Sequence, residues 1–143
     1  MTRKAERPMS GDKKVPLDAA RYQAHRLLDL LEPVCERIEI AGSIRRQCLE
    51  VGDIELVAIP KSTQNLFGVR EWDTEIIKTR LFDLHSQTLL GSSDRTLFAK
   101  AGEWYAQFVA FGMKVDLFMT TPEKWGCIFM IRTGSADFTK KMV

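Results

Sequence analysis

Apolar residues recur at helical spacing in separate parts of the chain, with polar residues between them. The clearest stretch begins near Asp18, a candidate N-cap, and continues to about Val34 with Leu27, Leu28 and Leu31 on one stripe. A stripe of this kind is typical of an amphipathic helix that packs on a core. The other predicted helices are a short one from Ser43, one over residues 74–86, one over residues 121–132, and a last short one after residue 135.

Elsewhere apolar and polar residues alternate, which is the period of a half-buried strand. The predicted strands cover residues 37–41, 53–59, 96–100, 104–111 and 113–119. Residues 61–74 have the composition of a loop. Strands gathered into one sheet with helices packed on it predict an α+β fold, with a mixed sheet of about five strands at its centre.

The first 16 residues differ in composition from those that follow. They are polar, contain two prolines, and carry five basic side chains against two acidic ones. We expect residues 1–16 to form a flexible basic tail and residues 17–143 to form one domain. Because the tail accounts for the net charge of +2, bulk charge does not identify a nucleic-acid-binding protein.

Several protein classes are disfavoured by composition. No apolar run approaches the ~20 residues of a membrane span, and the N-terminus lacks the apolar stretch of a secretory signal. A cytoplasmic protein without a membrane partner is therefore expected. Cys35, Cys48 and Cys127 are far apart and have no CxxC spacing, which predicts reduced thiols rather than a zinc site or a disulfide framework.

Two acids lie at alternate positions of the predicted strand 53–59. Side chains two residues apart on a strand point to the same face, with Cα atoms roughly 6.5 Å apart, so Asp53 and Glu55 can converge on one ion. Like charges in a partly desolvated site raise each other's pKa, and a cation between them relieves this. Mg²⁺ is the oxygen-seeking ion that fits, and it usually arrives with substrate phosphates. The alternative is a solvated strand edge beside a turn.

A third acid, Asp116, interrupts the otherwise apolar strand 113–119. On a strand that neighbours Asp53 and Glu55, it would complete a set of three carboxylates. Three such acids can bind two Mg²⁺ ions about 3.5–4 Å apart, and Mn²⁺ is a possible substitute. The pattern therefore predicts a two-metal site, with Lys114 on the same strand face as Asp116.

A glycine–serine turn and two arginines precede the acidic strand. Gly42 and Ser43 let the backbone approach a triphosphate, with N–H groups at a helix start aimed at its oxygens. Arg46 adds a planar, permanently charged guanidinium to the same phosphates. This combination indicates phosphoryl transfer, in which positioning and charge neutralisation supply most of the catalysis. The alternative for Arg45 and Arg46 is a solvated helix face.

Four motifs, in chain order, resemble the palm of family X DNA polymerases, a branch of the nucleotidyltransferase superfamily. The motifs are residues 42–46 (GSIRR), 52–56 (GDIEL), 114–118 (KVDLF) and 133–141 (TGSADFTKK). The resemblance implies a nucleotidyltransferase palm fold over residues 17–143, running into the start of a truncated nucleotide-binding subdomain. It also implies transfer of a nucleoside monophosphate from a dNTP or NTP to a DNA 3′-hydroxyl, with release of pyrophosphate, as in DNA repair.

The resemblance also implies a role for each residue of the motifs. Asp53, Glu55 and Asp116 would be the catalytic metal ligands, and Asp116 would also activate the primer 3′-hydroxyl. The implied nucleotide-binding residues are Gly42, Ser43, Arg46, Gly52, Gly134, Ser135 and Thr139, and the implied DNA-binding residues are Lys114 and Lys140. The implied partners are a (d)NTP and a DNA primer end or primer–template.

The chain departs from the family pattern at particular positions. Glu55 stands where DNA polymerase beta has Asp, and Ile131 and Arg132 stand where it has an aromatic pair. We also expect no DNA-gripping or lyase domain, and so compact a chain would suit a phage genome. Three functions stay open: a DNA polymerase, a minimal nucleotidyltransferase that acts on tRNA or protein, and a truncated palm that binds nucleotide without catalysis.

Overall fold

Short helices and strands follow one another along the chain in a computed structural model, which describes residues 14–91 and 97–134. The helices are α1 (Leu17–Leu31), α2 (Gly42–Arg45), α3 (Thr74–Ser86) and α4 (Trp125–Thr133). The strands are β1 (Val15–Pro16), β2 (Cys35–Ala41), β3 (Glu50–Val51), β4 (Asp53–Pro60), β5 (Ser62–Gln64), β6 (Arg70–Trp72), β7 (Phe98–Gly102), β8 (Tyr105–Ala110) and β9 (Met113–Met119). A single 3-10 turn over Glu32–Val34 connects α1 to β2.

The central sheet has five strands in the order β2-β4-β9-β8-β7. β4 and β9 run parallel, and the other neighbouring pairs are antiparallel. The prediction of an α+β fold with a mixed sheet of about five strands is therefore confirmed. Because β4 and β9 are parallel, their first residues lie at the same edge of the sheet.

One face of the sheet packs against α1 and α3 and forms the main core. Ile54 and Leu56 of β4 and Val115 and Leu117 of β9 are fully buried on this face. The helices contribute Leu27 and Leu31 from α1 and Ile77, Leu81 and Leu84 from α3. Each fully buried aliphatic side chain contributes roughly 1.5–3 kcal/mol, so this layer fixes the register of the two parallel strands.

The opposite face divides into an apolar end and a polar end. At the apolar end, Trp125 of α4 packs on Val57 and Ile59 of β4. Toward the start of the same strand, the side chains on this face become acidic, at Asp53 and Glu55. The polar end is where the candidate site lies.

Stacked arginines and aromatic rings hold α4 against the edge strand β2 and helix α2. The guanidinium of Arg37 lies 4.3 Å from the ring centroid of Trp125, and that of Arg45 lies 4.8 Å from the ring centroid of Phe129. The two rings stack with their centroids 5.4 Å apart. Glu39 Oε2 lies 3.8 Å from Arg37 Nε, and Glu39 Oε1 lies 3.9 Å from Arg45 Nη1. One carboxylate therefore forms ion pairs with both arginines.

The helix ends differ from those predicted by the sequence. α1 begins at Leu17, with Pro16 as its N-cap residue, so the prediction of Asp18 as N-cap is wrong. Asp18 lies instead in the first turn, 3.9 Å from Arg21. α1 also ends three residues before Val34, because the chain tightens into the 3-10 turn that contains a proline.

The other helices follow the predictions more closely. α3 matches the predicted range 74–86, and Asp73 caps it by accepting a hydrogen bond from the Glu75 N–H at 3.0 Å. α4 begins at Trp125 rather than at residue 121, since residues 122–124 form a turn. The last short helix predicted after residue 135 lies outside the described residues.

The five predicted strands are those of the central sheet, with shifted ends except at 113–119, which matches β9. Two small ladders were not predicted: β5 pairs with β6 inside the expected loop 61–74, and β1 pairs with β3. The second ladder places residues 15–16 in a strand, so the expectation of a tail to residue 16 is wrong at its end. Residues 1–13 of that tail lie outside the described part, as do residues 92–96.

The cysteines are free thiols, as predicted. Cys35 is buried, and its burial raises the pKa of the thiol to about 12, so it stays protonated at neutral pH. None of the helices in the described residues is both long and apolar enough to cross a membrane.

Candidate active site

Three acids lie together at the polar end of the sheet. Asp53 and Glu55 alternate along β4, and Glu55 is the direct register partner of Asp116 on the parallel strand β9. Partners in a sheet point their side chains to the same face. All three acids are half-buried, whereas Ile54 and Val115 between them are fully buried on the other face. The fold therefore brings together the three acids that the sequence singled out.

The backbone of Gly42 packs directly against Glu55. Gly42 begins α2 with a φ of +66°, and a Cβ at this position would lie 2.9 Å from Cδ and 3.0 Å from Cβ of Glu55. Such a close approach leaves room only for glycine, which also adopts positive φ readily. The glycine that the sequence predicts beside a triphosphate is thus also the residue that positions Glu55.

Asp116 is held by two side chains of β8 that the sequence analysis did not identify as functional. Tyr105 Oη donates a hydrogen bond to Asp116 Oδ1 at 2.6 Å, and Gln107 Nε2 donates to the same oxygen at 2.9 Å. Within residues 14–91 and 97–134, no hydrogen bond reaches Oδ2. The alternation of the strand 104–111 places residues 105 and 107 on one face. This shared face is the sequence signal that could have pointed to a common role for the two side chains.

Tyr105 remains a donor over the physiological pH range. Its burial raises the pKa of its hydroxyl to about 12, with a further contribution from the hydrogen bond to Asp116. The neutral hydroxyl can therefore hold Oδ1 of Asp116 in place without competing for a cation. The second carboxylate oxygen, Oδ2, is therefore the one that a ligand could contact.

Lys114 pairs with the first acid of the set. Its Nζ lies 3.5 Å from Asp53 Oδ2, and the two side chains are 32% and 30% exposed. They are register partners on β9 and β4. The residue that the family resemblance assigns to a DNA phosphate thus contacts a carboxylate in this structure, and it neutralises part of the acidic cluster.

The surroundings of Glu55 raise the pKa of its carboxyl group. Its burial raises the pKa of the carboxyl, and the charges of Asp53 and Asp116 raise it further. The positive charges of Arg132 and Arg46 offset part of this effect. A cation bound between the acids would favour the ionised form of Glu55 in the same way.

Two arginines approach the acids from α2 and α4. Arg46 Nη1 donates a hydrogen bond to the Thr133 carbonyl at 2.7 Å, which joins the ends of the two helices. Arg132 lies 4.2 Å from the ring centroid of Phe118, and its Nε is buried without a hydrogen-bond partner in the described part of the chain. A buried donor without an acceptor costs about 1–3 kcal/mol, so an anionic ligand oxygen beside Arg132 would be favoured.

Replacing Glu55 by Gln is expected to stabilise the protein near neutral pH when no divalent ion is present. The pKa of Glu55 is raised in the folded state, so the folded chain prefers its protonated form. The resulting stability is present below the ordinary carboxyl pKa of 4.5 and is lost as the pH rises through the higher folded-state pKa. The variant avoids this loss because an amide does not ionise.

Urea unfolding at about pH 7 and about pH 4 measures this effect. The Gln variant should exceed the wild type in its free energy of unfolding at the higher pH, and the difference should shrink at the lower pH. Glu50→Gln, at an exposed position on β3, is the matched control and should show neither change. Equal stability of Glu55→Gln and the wild type at neutral pH would contradict the electrostatic account.

The other predicted nucleotide-binding residues lie around these acids or beyond the described region. Ser43 is half-buried within α2, and Gly52 directly precedes Asp53. Gly134 follows α4 as its C-cap and donates its N–H to the Met130 carbonyl at 3.0 Å. Ser135, Thr139 and Lys140 lie outside the described residues.

In residues 14–91 and 97–134, no group of three or more His, Cys, Asp or Glu side chains is arranged to hold a metal ion. In this arrangement Asp53 pairs with Lys114, and Asp116 accepts the hydrogen bond of Tyr105. The donor chemistry nevertheless fits Mg²⁺ or Mn²⁺. These ions take carboxylate oxygens, and Mg²⁺ typically needs only one or two carboxylates together with substrate phosphates. Glu55, which packs against Gly42, and Asp116, whose Oδ2 accepts no hydrogen bond within the described residues, supply two such carboxylates.

A scan against protein-family models gives no match to this chain, and a search among curated proteins gives none either. The resemblance to family X polymerases therefore depends on the four motifs alone.

Proposed function

We propose that this chain is a nucleotidyltransferase that joins a nucleoside monophosphate from a dNTP or NTP to a DNA 3′-hydroxyl and releases pyrophosphate. In this proposal, residues 17–143 form a palm like that of family X DNA polymerases and lead into a nucleotide-binding subdomain. The observation that carries it is the register of β4 and β9, which sets Glu55 directly beside Asp116, with Asp53 on the same face.

The acids would hold the ions of the reaction. Asp53, Glu55 and Asp116 are the ligands that two Mg²⁺ ions would use, with Mn²⁺ as a substitute. When bound, such ions neutralise the charge that develops on the attacking and leaving oxygens. Tyr105 and Gln107 orient Asp116 through Oδ1, and the carboxylate of Asp116 is proposed to accept the proton of the 3′-hydroxyl.

The basic residues would bind the phosphates of the substrates. The positive charges of Arg46 and Arg132 lower the pKa of Glu55, and both residues are proposed to bind a triphosphate that sits over the acids. A guanidinium group can donate two parallel hydrogen bonds to phosphate oxygens. Such contacts would orient the triphosphate so that pyrophosphate can be displaced. Gly42 and Ser43 bring backbone against the same region, and Lys114 is proposed to contact a primer phosphate.

Primer extension by the whole chain tests this proposal directly. A labelled DNA primer, alone and annealed to a template, is incubated with Mg²⁺ or Mn²⁺ and with each dNTP or NTP. We expect the primer to lengthen, with one pyrophosphate released for each nucleotide that is added. A protein that binds Mg²⁺–dNTP but extends no primer with either metal would contradict the polymerase proposal.

The other acceptors are resolved in the same experiment. Labelled nucleotide is also offered with tRNA and with a protein substrate in place of DNA. Transfer to tRNA or to protein, but not to DNA, would keep the chemistry and replace the acceptor. Binding of nucleotide without transfer to any acceptor would identify a palm that has lost catalysis.

A further inference from the structure

A pocket of about 380 Å³ lies beside the edge strand β2, between α1 and α2. Its volume falls within the roughly 300–1,000 Å³ that is usual for small-molecule sites. Residues of α1, β2 and α2 form its walls: Arg21, His25, Leu28, Glu39, Ile40, Ile44, Arg45 and Gln47. The acids Asp53, Glu55 and Asp116 do not line it, so the proposed transferase chemistry does not account for this pocket.

The polar wall of the pocket is rich in groups that bind anions. Its lining includes two guanidinium groups, an imidazole and a side-chain amide, together with one carboxylate, that of Glu39. Arg21 and His25 are one helical turn apart on α1, so they lie on the same side of that helix. The combination supplies several N–H donors in one small volume, which is the chemistry that recognises phosphate.

The ion pairs that the arginines of the pocket make within the chain are weak, although Arg45 also stacks over Phe129, 4.8 Å from the ring centroid. The shortest ion-pair distances are 3.9 Å from Arg21 to Asp18 and 3.9 Å from Arg45 to Glu39, and all four side chains are at least 40% exposed. Exposed ion pairs at this distance contribute ~0–1 kcal/mol. A ligand can therefore recruit Arg21 at little cost to the fold, whereas recruiting the guanidinium of Arg45 would give up its contact with Phe129.

The floor of the pocket is apolar. Ile40 and Ile44 are buried, and Leu28 packs against the same core from α1. A bare inorganic ion would leave this surface unused, because it has no apolar part. A phosphorylated molecule with a flat or carbon-rich body would use the floor and the polar wall together.

We propose that this pocket binds a nucleotide through its phosphate monoester, with the base or sugar on the apolar floor. A monoester carries a charge of about −1.5 to −2 at neutral pH, and Arg21, His25 and Arg45 on the pocket wall supply N–H donors for it. The phosphate can belong to a free mononucleotide or to the phosphorylated end of a nucleic-acid strand. Both sources share the same chemistry and are separated by the test below.

Helix α2 separates this pocket from the acids. Its first residue, Gly42, contacts Glu55, whereas Ile44, Arg45 and Gln47 face the pocket. Arg46, between them, donates to the Thr133 carbonyl on the acid side. The pocket is thus a second binding site beside the proposed active site, and its occupancy does not require that the transferase proposal be correct.

Binding is measured on the whole chain in the presence of EDTA, which keeps divalent ions from the acids. The probes are dAMP, deoxyadenosine, and one oligonucleotide prepared with and without a terminal phosphate. Titrations followed by calorimetry and by backbone amide NMR shifts give affinity and location. We expect dAMP to bind about tenfold or more tightly than deoxyadenosine, because hydrogen bonds to charged groups have at least this effect. The shifted amides should be those of α1 and of residues 44–47.

Arg21→Gln tests the assignment, and Arg26→Gln is its matched control. Arg26 lies on the same helix but stacks over Phe111, 4.2 Å from the ring centroid, away from the pocket. Arg21→Gln should weaken dAMP binding about tenfold, whereas Arg26→Gln should leave it unchanged. Preference for the phosphorylated oligonucleotide over dAMP would assign the site to a strand end, and the reverse would assign it to a free nucleotide.

The proposal is overturned by any of three results. The first is equal binding of dAMP and deoxyadenosine, and the second is equal binding of dAMP by Arg21→Gln and the wild type. The third is a set of shifted amides confined to the strands that carry Asp53, Glu55 and Asp116. Primer extension that fails while dAMP still binds the pocket would reject only the proposed transferase function.

Discussion

Asp53→Asn and Asp116→Asn are each expected to lower nucleotide incorporation by about 1,000-fold or more while leaving the fold intact. Metal ions in such sites supply several kcal/mol of transition-state stabilisation, and every 1.36 kcal/mol corresponds to about tenfold in rate. An amide retains the shape of the carboxylate but not its charge, so it binds a hard cation poorly. Single-turnover primer extension with Mg²⁺ measures the loss.

The Asn variant at position 116 also separates two roles of that residue. Its amide oxygen can still accept the hydrogen bonds of Tyr105 and Gln107, which reach only one carboxylate oxygen in the native protein. Asp116→Ala removes both the charge and this acceptor, so it should lose activity and some stability. Incorporation by Asp116→Asn at the native rate would contradict the assignment of this acid.

Asp29→Asn is the matched control for both substitutions. Asp29 lies exposed on α1, so its loss of charge changes the net charge of the chain by the same amount. We expect native incorporation and native unfolding behaviour. Far-ultraviolet circular dichroism of all variants confirms that any loss of activity occurs in folded protein.

Gly42→Ala is expected to destabilise the fold by about 2 kcal/mol and to slow incorporation by about 100-fold. A non-glycine residue at positive φ costs about 1–2 kcal/mol, and the new methyl would lie 2.9 Å from Glu55 Cδ. The side chain of Glu55 must then move by a substantial part of an ångström. Misplacement of a catalytic group by ~1 Å can cost about 100-fold in rate.

Gly68→Ala separates backbone strain from the contact with Glu55. Gly68 has a φ of +77°, and a Cβ there would meet no atom within 4 Å. It should lose only the ~1 kcal/mol of the strained backbone and retain full incorporation. Equal loss of incorporation in Gly42→Ala and Gly68→Ala would show that the contact between Gly42 and Glu55 has no special role.

The sequence predicted the sheet and the grouping of the acids because both depend on short-range periodicity. Alternation places Asp53 and Glu55 on one face of their strand. The same rule gives the face of Asp116, so the only further question is which strand lies next to the strand of Asp116. The apolar residues between the acids then select the register, since a shift by one residue would bury charge and expose Ile54 or Val115. The structure has that register.

The sequence did not reveal the contacts that cross between distant segments. Arg46 donates to a carbonyl 87 residues away, and Tyr105 reaches Asp116 from the adjacent strand. No local pattern encodes such pairs, because an arginine on a short helix and a tyrosine on a strand are ordinary in either role. The hairpin of β5 and β6 was missed for a related reason: its strands have only three residues each and little alternation.

The ion pair between Lys114 and Asp53 has a consequence for the order in which ligands assemble. While the ammonium of Lys114 is paired with the carboxylate of Asp53, neither group is free to bind a ligand. A divalent ion that takes Asp53 would release Lys114 for an anion, and an anion that takes Lys114 would vacate Asp53 for an ion. The two ligands should therefore strengthen each other's binding by the same factor, whichever arrives first.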